Sequence, residues 1–191
     1  MRPTLAALVV LACCVACGGA KQAVSGPPPS SYRGVALDPP AKVPAFRLRD
    51  QSGRLIGPQT FRGRWLVIAF LYTHCPDVCP LIASNLGVVQ RRVPSLRVIA
   101  VSVDPKGDTP AAVRRFLGVH HLTARFRYVT GTRAELRPVW TAYHVASTPG
   151  PNGTVSHTAF ELLVDPQGRE RLFYDSTLTA ADLLHDLRKL A

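Results

Sequence analysis

The chain has 191 residues, of which 23 are lysine or arginine and 12 are aspartate or glutamate, so its formal charge is +11. This length favours one domain with a terminal extension, large enough to bury a core without disulfides. A hydrophobic content of 47% excludes a chain that is disordered throughout. No apolar run reaches about 18 residues, which excludes a multi-span membrane protein. Because the arginines are spread along the sequence, the charge favours general attraction to anionic surfaces, and nucleic acid is not expected as a partner.

Residues 1–16 have the pattern of a signal peptide. A positively charged start at Arg2 precedes an almost wholly apolar stretch over residues 4–17, after which the sequence turns polar. The stretch is too short to span a membrane as a helix, and a short buried helix is the structural alternative. Its end resembles a bacterial lipoprotein signal, in which a cysteine that follows small residues is lipidated and becomes the first residue of the mature protein.

Cys17 is the predicted lipidation site, because it follows Ala16 at the end of the apolar stretch and a polar segment begins behind it. Cys13 is a competing candidate with a shorter apolar stretch before it. Residues 17–44 are rich in Gly, Pro and Ser and are predicted to be a flexible tether. A lipid on this tether would anchor the protein on the outer face of the bacterial cytoplasmic membrane, on the periplasmic or extracytoplasmic side.

Residues 45–191 are predicted to form one α/β domain. Two continuous apolar runs, residues 65–72 and 96–103, are typical of strands covered on both faces. Between them, apolar residues recur at helical spacing from Val78 to Arg92. The other predicted elements are a helix over 110–117, a strand at 128–129, a helix over 132–143, a hairpin of strands 159–164 and 170–174, and an amphipathic helix over 179–190. The outcome is a central mixed sheet flanked by helices.

Cys75 and Cys79 carry the predicted chemistry. Beyond Cys17 they are the only thiols, and they lie at the junction of a buried strand and a helix. Residues four positions apart share one helix face, and N–H groups at a helix N-terminus stabilise a thiolate and lower its pKa. The pair could therefore bind a soft metal or cycle through a disulfide. The structural alternative is a permanent disulfide, which would restrain little chain entropy across so short a loop.

A metal held by two thiolates needs further ligands, and the chain has six histidines. His157 differs from the others, because it follows a Pro/Gly-rich loop and immediately precedes a buried strand. From there it could reach a neighbouring strand end, although spacing alone leaves the choice open. Asp77 and Asp104 are candidates for orienting His157 or balancing charge. Their structural alternatives are a charge at the helix N-terminus for Asp77 and a turn residue for Asp104.

The order of the motifs resembles the Sco/SenC family. The matching segments are Cys75-Pro76-Asp77-Val78-Cys79-Pro80, residues 101–105 with Asp108-Thr109-Pro110, Thr130-Gly131, residues 155–158, and residues 165–168. The resemblance covers residues 46–190 and implies a thioredoxin-like fold. It also implies a copper site made by Cys75, Cys79 and His157, and a role in maturing the dinuclear copper centre of cytochrome c oxidase.

The residue types agree with copper as the cofactor. Soft thiolates select Cu(I), and a neutral imidazole also suits Cu(II). Three protein ligands are one short of a structural zinc shell, and a catalytic zinc with a bound water is a weaker alternative. The leading hypothesis is therefore a metal-delivery protein that hands copper to the copper-bearing subunit of the oxidase.

The rival hypothesis is an enzyme, a thiol–disulfide oxidoreductase that reduces cysteines of that subunit or of another exported protein; a thiol peroxidase is a more distant alternative. The spacer between the cysteines has three residues, whereas thioredoxin-type redox proteins more often have two. Thioredoxin-type proteins also carry a proline just before the strand that faces the cysteine pair. Residues 152–160 contain no proline, and His157 lies in this segment instead. Both features favour metal binding. Because the exterior of the cell is oxidising, a thiol reductant is expected as a further partner.

Overall fold

The computed structural model describes residues 31–190, so the predicted signal peptide, Cys17 and residues 18–30 lie outside the described residues. The strands are β1 (Val35–Ala36), β2 (Leu48–Asp50), β3 (Leu55–Ile56), β4 (Leu66–Leu71), β5 (Arg97–Ser102), β6 (Phe126–Thr130), β7 (Ser147–Pro149), β8 (Val155–His157), β9 (Phe160–Val164) and β10 (Glu170–Asp175). The helices are α1 (Val78–Arg92), α2 (Pro110–Val119), α3 (Arg133–Ala142) and α4 (Ala180–Leu190), with short 3-10 helices at Pro58–Phe61 and Pro151–Gly153. Within residues 31–190, no helix is both long and apolar enough to cross a membrane.

Eight strands form one mixed sheet in the order β1-β10-β9-β4-β5-β6-β2-β3, and β7 and β8 form a separate two-stranded sheet. β4, β5 and β6 run parallel to one another, and the other neighbouring pairs are antiparallel. The carboxyl ends of the parallel strands therefore meet at one end of the sheet, together with the start of β9. We call this the cysteine end, because the chain leaves β4 there and enters the segment that holds Cys75 and Cys79.

The helices and the long strands lie within two residues of their predicted bounds. β4 is buried along its whole length, as a continuous apolar run predicts. Thr109 caps α2, where its hydroxyl accepts a hydrogen bond from the Ala112 N–H at 3.2 Å. Thr132 and Glu135 form a reciprocal capping box at the start of α3. The predicted mixed sheet flanked by helices is confirmed.

The folded part begins before the predicted boundary at residue 45. β1 pairs with β10, and Val43 is buried in the core. The backbone N–H groups of Arg33 and Gly34 donate to the buried carboxylate of Asp186. Gly34 lies so close to Tyr174 that a Cβ there would be 2.7 Å from a ring carbon. A tether predicted from composition therefore ends too late in the sequence. The short strand β1 at the margin of the sheet contains too few apolar residues to be recognised from composition.

Aromatic rings fix the strand ends at the cysteine end of the sheet. Phe70, near the end of β4, contacts Tyr143 and Phe160, with ring centroids 5.4 and 5.2 Å apart. Phe160 begins β9 and stacks on Phe173 of β10 at 5.1 Å. Such pairs add stabilisation beyond the area they bury. The segments that follow β4 and precede β9 are therefore attached to a rigid part of the core.

Candidate metal centre

Cys75 and Cys79 lie side by side at the cysteine end of the sheet. Cys75 is 9% exposed in the loop after β4, and Cys79, in the first turn of α1, is fully buried. The Cys79 backbone N–H donates to the Cys75 sulfur at 3.4 Å. Neither sulfur takes part in a disulfide in this structure. The cysteine pair is therefore assembled by the fold itself.

The two cysteines differ in protonation. A hydrogen bond from the Cys79 thiol lowers the pKa of Cys75 to about 5, and the backbone N–H groups of Asp77 and Cys79 act in the same direction. The same hydrogen bond, together with burial, raises the pKa of Cys79. At neutral pH, Cys75 is thus a thiolate and Cys79 keeps its proton. This agrees with the expectation that free N–H groups at the helix N-terminus favour a thiolate.

Tyr72 joins the cysteine pair to His157. Its side chain is buried directly after β4, and burial raises the pKa of its hydroxyl. The hydroxyl interacts with Cys75 and with the backbone of Val155 in β8. The Tyr72 ring also meets the His157 ring edge-on, with centroids 5.8 Å apart. In the sequence Tyr72 is only the last residue of an apolar run, and nothing in its pattern indicates these contacts.

His157 lies at the end of β8, where it is half-buried and pairs with Ser147 of β7. The predicted loop before it is a β-hairpin, β7–β8, and the Ser147 hydroxyl donates to the Val103 carbonyl at 2.9 Å. The His157 Nδ1 is 3.0 Å from the Thr158 carbonyl oxygen. Because a carbonyl accepts and does not donate, Nδ1 carries the proton and Nε2 has the free lone pair. The imidazole is thus in the tautomer that a metal ligand needs.

The three predicted ligands are neighbours but do not form a closed set. Among residues 31–190, no group of three or more His, Cys, Asp or Glu side chains is close enough to hold a metal ion. The cysteines are in place, whereas His157 lies beyond the Tyr72 ring. A three-ligand site would therefore need His157 to come closer to the cysteines, through rotation of its side chain or movement of the β7–β8 hairpin that carries it.

Asp108 is the acidic residue that supports the site, a role that its position in the sequence does not predict. Its buried carboxylate accepts hydrogen bonds from the Thr73 N–H at 2.7 Å, the Ser102 hydroxyl at 2.5 Å and the Tyr128 hydroxyl at 2.9 Å. Burial raises its pKa. The bond to Thr73 fixes the start of the loop that carries Cys75. The position before a helix cap marks a turn in the sequence but does not show that the side chain turns inward.

Asp77 and Asp104 have local contacts in the structure. Asp77 is exposed and precedes α1 without a side-chain capping bond. The Asp104 carboxylate accepts a hydrogen bond from the Lys106 N–H at 3.2 Å, as a turn residue does. Among the described contacts, neither carboxylate is bonded to His157. An orienting role for either residue stays a prediction, and the observed hydrogen bonds favour Asp108 as the carboxylate that organises the centre.

A cleft of about 950 Å³ adjoins the centre. It is lined by His74, by residues 103–107 after β5 and by much of the β7–β8 hairpin, including Val155. Arg133 and Lys106 contribute positive charge to its walls and Asp104 contributes negative charge. The cleft reaches the loop of Cys75 at His74, the residue that precedes it.

The chain is similar in sequence to proteins of one known family. Residues 35–191 match the family model described as SCO1/SenC. The mitochondrial protein SCO1 homolog of Homo sapiens is 34% identical over 134 residues, which cover 64% of this chain and 44% of the relative. The chain thus matches less than half the length of that protein.

Two solved structures are similar over most of the described residues. ScoI of Bradyrhizobium japonicum with copper bound is 31% identical, with a TM-score of 0.65, covering 78% of this chain and 99% of that chain. Apo Sco1 of Thermus thermophilus is 27% identical, with a TM-score of 0.72, covering 84% of this chain and 98% of that chain. These matches support the predicted thioredoxin-like fold class. Since the family model matches residues 35–191, the whole of the mixed sheet and its helices, the chain belongs to the SCO1/SenC family.

Proposed function

We propose that this protein binds copper through Cys75, Cys79 and His157 and delivers it to the dinuclear copper centre of cytochrome c oxidase during its assembly. The observation that carries the proposal is the cysteine pair, a thiolate beside a thiol at the end of a buried strand. Thiolates are soft ligands that select Cu(I). The B. japonicum relative, solved with copper bound, supports the same cargo.

Each ligand has a distinct part in the proposed binding. The Cys75 thiolate is the first ligand, because it needs no deprotonation near neutral pH. Cys79 must release its proton, so copper binding is accompanied by proton release. His157 completes the set through Nε2, while its Nδ1–H stays bonded to Thr158. Three protein ligands leave a position for an entering ligand of the partner, which suits delivery better than permanent retention.

Thiol–disulfide exchange is the second candidate, and the low pKa of Cys75 favours it. In this reaction the Cys75 thiolate attacks a partner disulfide and forms a mixed disulfide, releasing one partner thiolate. Cys79 then loses its proton and displaces the second partner sulfur. The partner is reduced, and the Cys75–Cys79 pair is oxidised by two electrons. His157 has no part in these steps, so it separates the two candidates.

Substitution of His157 tests the proposal. His157→Ala, Cys75→Ser and Cys79→Ser should each lose copper to a competing chelator at least tenfold more readily and should fail to mature the oxidase, because each removes one of three ligands. His121→Ala is the matched control, since His121 is exposed at a helix end, and it should keep both properties. If His157→Ala matured the oxidase fully while either serine variant did not, reduction would be the function and copper delivery would be rejected.

The proposal includes export and an anchor on the outer face of the cytoplasmic membrane through a lipid on Cys17. The support is the charged start, the apolar stretch and the small residues before Cys17. Mass spectrometry of the membrane fraction should find a diacylated N-terminus at Cys17. An intact Met1, or cleavage before Cys13, would contradict this assignment.

A further inference from the structure

Six arginines lie together at the end of the sheet opposite to the cysteines. Arg64 precedes β4, Arg97 begins β5, and Arg125 precedes β6, so all three stand where the parallel strands start. Arg127 follows within β6, and Arg91 and Arg92 end α1, which leads back to this end of the sheet. We call these six side chains the basic end. They are spread over 64 positions of the sequence, and the parallel topology brings them together.

Backbone hydrogen bonds fix how close these arginines are. The Arg97 N–H donates to the Trp65 carbonyl at 2.9 Å, and the Val98 N–H donates to the Arg125 carbonyl at 3.2 Å. Residues 64–65, 97 and 125 are thus direct neighbours across three strands, which stand about 4.8 Å apart. Burial and then the charges of Arg64, Arg125 and Arg127 lower the pKa of Arg97.

The positive charge of the basic end is largely uncompensated. The Arg97 guanidinium donates to the carbonyls of Pro94, Ser95 and Leu96, and Arg125 donates to the carbonyl of Gln90. These bonds hold the guanidinium groups in place without neutralising them. Among residues 31–190, Arg127 is the one member of the six that forms an ion pair, with Asp50 at 3.3 Å.

We propose that the basic end binds the anionic surface of a phospholipid bilayer, so that the cysteine end of the sheet faces away from the membrane. Anionic headgroups attract clustered arginines over about a Debye length. Half-buried Trp65 lies among them, and tryptophan favours the boundary between lipid and water. The lipid anchor proposed at Cys17 would hold the chain beside such a surface.

The orientation rests on the proposed lipid anchor at Cys17, and it does not depend on copper. The 13 residues between Cys17 and residue 31 could span at most about 45 Å, which is enough for either end of the domain to face the lipid. A tether of this length therefore leaves the orientation undetermined, and the charge of the basic end decides it. With that end on the bilayer, the cysteine pair is open to a partner domain that stands clear of the membrane.

Trp65 provides a built-in reporter for a test with the full chain. The chain is mixed with vesicles of phosphatidylcholine, or with vesicles that also contain about 30 mol % phosphatidylglycerol, each carrying a quencher on the lipid headgroup. Trp65→Phe supplies the background from Trp140, the second tryptophan. Arg64→Glu/Arg92→Glu reverses the charge at two exposed positions of the basic end. Arg114→Glu/Arg137→Glu is a control with the same change of net charge at exposed positions on α2 and α3.

Quenching of Trp65 should be at least about threefold stronger on anionic vesicles, and the excess should vanish near 0.5 M salt, where screening is nearly complete. Arg64→Glu/Arg92→Glu should abolish the excess and the control should keep it, with both variants retaining the wild-type unfolding transition. Equal quenching on both vesicles, or equal loss in the control, would overturn the proposal. So would tighter binding to a random-sequence DNA duplex than to the anionic vesicles at equal salt, since nucleic acid would then be the partner.

Discussion

Glu161 lies in β9, opposite Ala69 of β4 and Tyr174 of β10, with none of its surface exposed. Among the described residues, neither of its carboxylate oxygens has a hydrogen-bond partner. Burial, and then the charge of Asp175, raise its pKa to about 8. Glu161 is therefore mostly a neutral acid at pH 7, because ionising it there would leave a charge without compensation.

Glu161→Gln should remove a pH dependence of stability. The pKa of this carboxyl is about 8 in the folded protein against 4.5 for an ordinary glutamate. The folded state holds the proton more tightly, so the stabilisation is complete below about pH 4.5 and is lost as the pH rises through about 8. In denaturant unfolding of the reduced, copper-free protein, the unfolding free energy of Glu161→Gln relative to wild type should rise by a few kcal/mol between about pH 5 and 9, at about 1.4 kcal/mol per pKa unit.

The difference in unfolding free energy between the variant and wild type isolates the contribution of Glu161. Cys75 has the opposite effect, since folding lowers its pKa, but it is present in both proteins and cancels. Glu135→Gln is the matched control: Glu135 is exposed, and its bonds to Thr132 lower its pKa, so its difference from wild type should be constant above about pH 6. A constant difference for Glu161→Gln over the same range would contradict the neutral state of Glu161.

At the scale of residues, the sequence predicts the side chains that stand in ordered motifs and misses those whose role depends on neighbours. Cys75 and Cys79 are found because two thiols at a strand–helix junction are unusual. Asp108 and Glu161 are not found, because their burial depends on strands and loops distant in the sequence. The segment containing Glu161 reads as an apolar strand, and only the strands on both sides of it show that the acid is enclosed.

At the scale of elements, the proposed ligands lie on two supports of different rigidity. The cysteines are held by β4, α1 and the buried Asp108 network. His157 lies on the β7–β8 hairpin, which is paired to no other strand among the described residues. A lone two-stranded hairpin is marginally stable in water. The hairpin is therefore the element that would bring His157 to the cysteines.

Hydrogen exchange can test this movement. Adding Cu(I) to the reduced protein should slow amide exchange over residues 147–157 by at least about tenfold, because a third ligand would tie the hairpin to the core. Exchange in β4 and β5 should not change, since both are already buried. His157→Ala at saturating Cu(I) is the control and should show no slowing in the hairpin. Unchanged exchange in the hairpin of the copper-loaded wild type would contradict the predicted movement.

The longer helices and strands can be predicted from the sequence, and the shortest strands cannot. β4, β5 and the four helices were predicted to within two residues, because each has an apolar run or a helical period. The strands of two or three residues, β1, β2, β3, β7 and β8, are too short for either pattern. Their pairing depends on partners far along the chain, as with Val35 opposite Phe173. The central strands of the sheet can therefore be predicted from the sequence, whereas the short strands at its edges cannot.

At the scale of the whole molecule, the fold separates two chemistries. The thiols lie where the parallel strands end, and the arginine cluster lies where they start. The spacing of the arginines along the sequence predicts that they are scattered, but in the fold six of them are clustered. The reason is that parallel strands align residues that are about 30 positions apart in the chain. The separation leaves the cysteine pair free of the strong positive charge at the basic end, so its state is set by its own hydrogen bonds and by the surrounding redox conditions.

That state should decide whether the protein can accept copper. Only thiolates bind the metal, so a Cys75–Cys79 disulfide would remove two of the three proposed ligands at once. Oxidised glutathione can form this disulfide: the Cys75 thiolate displaces one glutathione, and Cys79 then loses its proton and displaces the second. The exterior of the cell is oxidising, so the copper-free pair should close there unless a thiol reductant reopens it.

Bound copper should block this oxidation, because it occupies the Cys75 thiolate that begins it. Reduced protein with and without Cu(I) is treated with oxidised glutathione, and the remaining thiols are counted by alkylation and mass spectrometry. The copper-free pair should lose both thiols at least about tenfold faster than the loaded pair, and the oxidised protein should bind Cu(I) only after reduction. Equal rates with and without copper would show that the thiolate stays available for exchange, as the oxidoreductase alternative requires, and would separate copper binding from the cysteine pair.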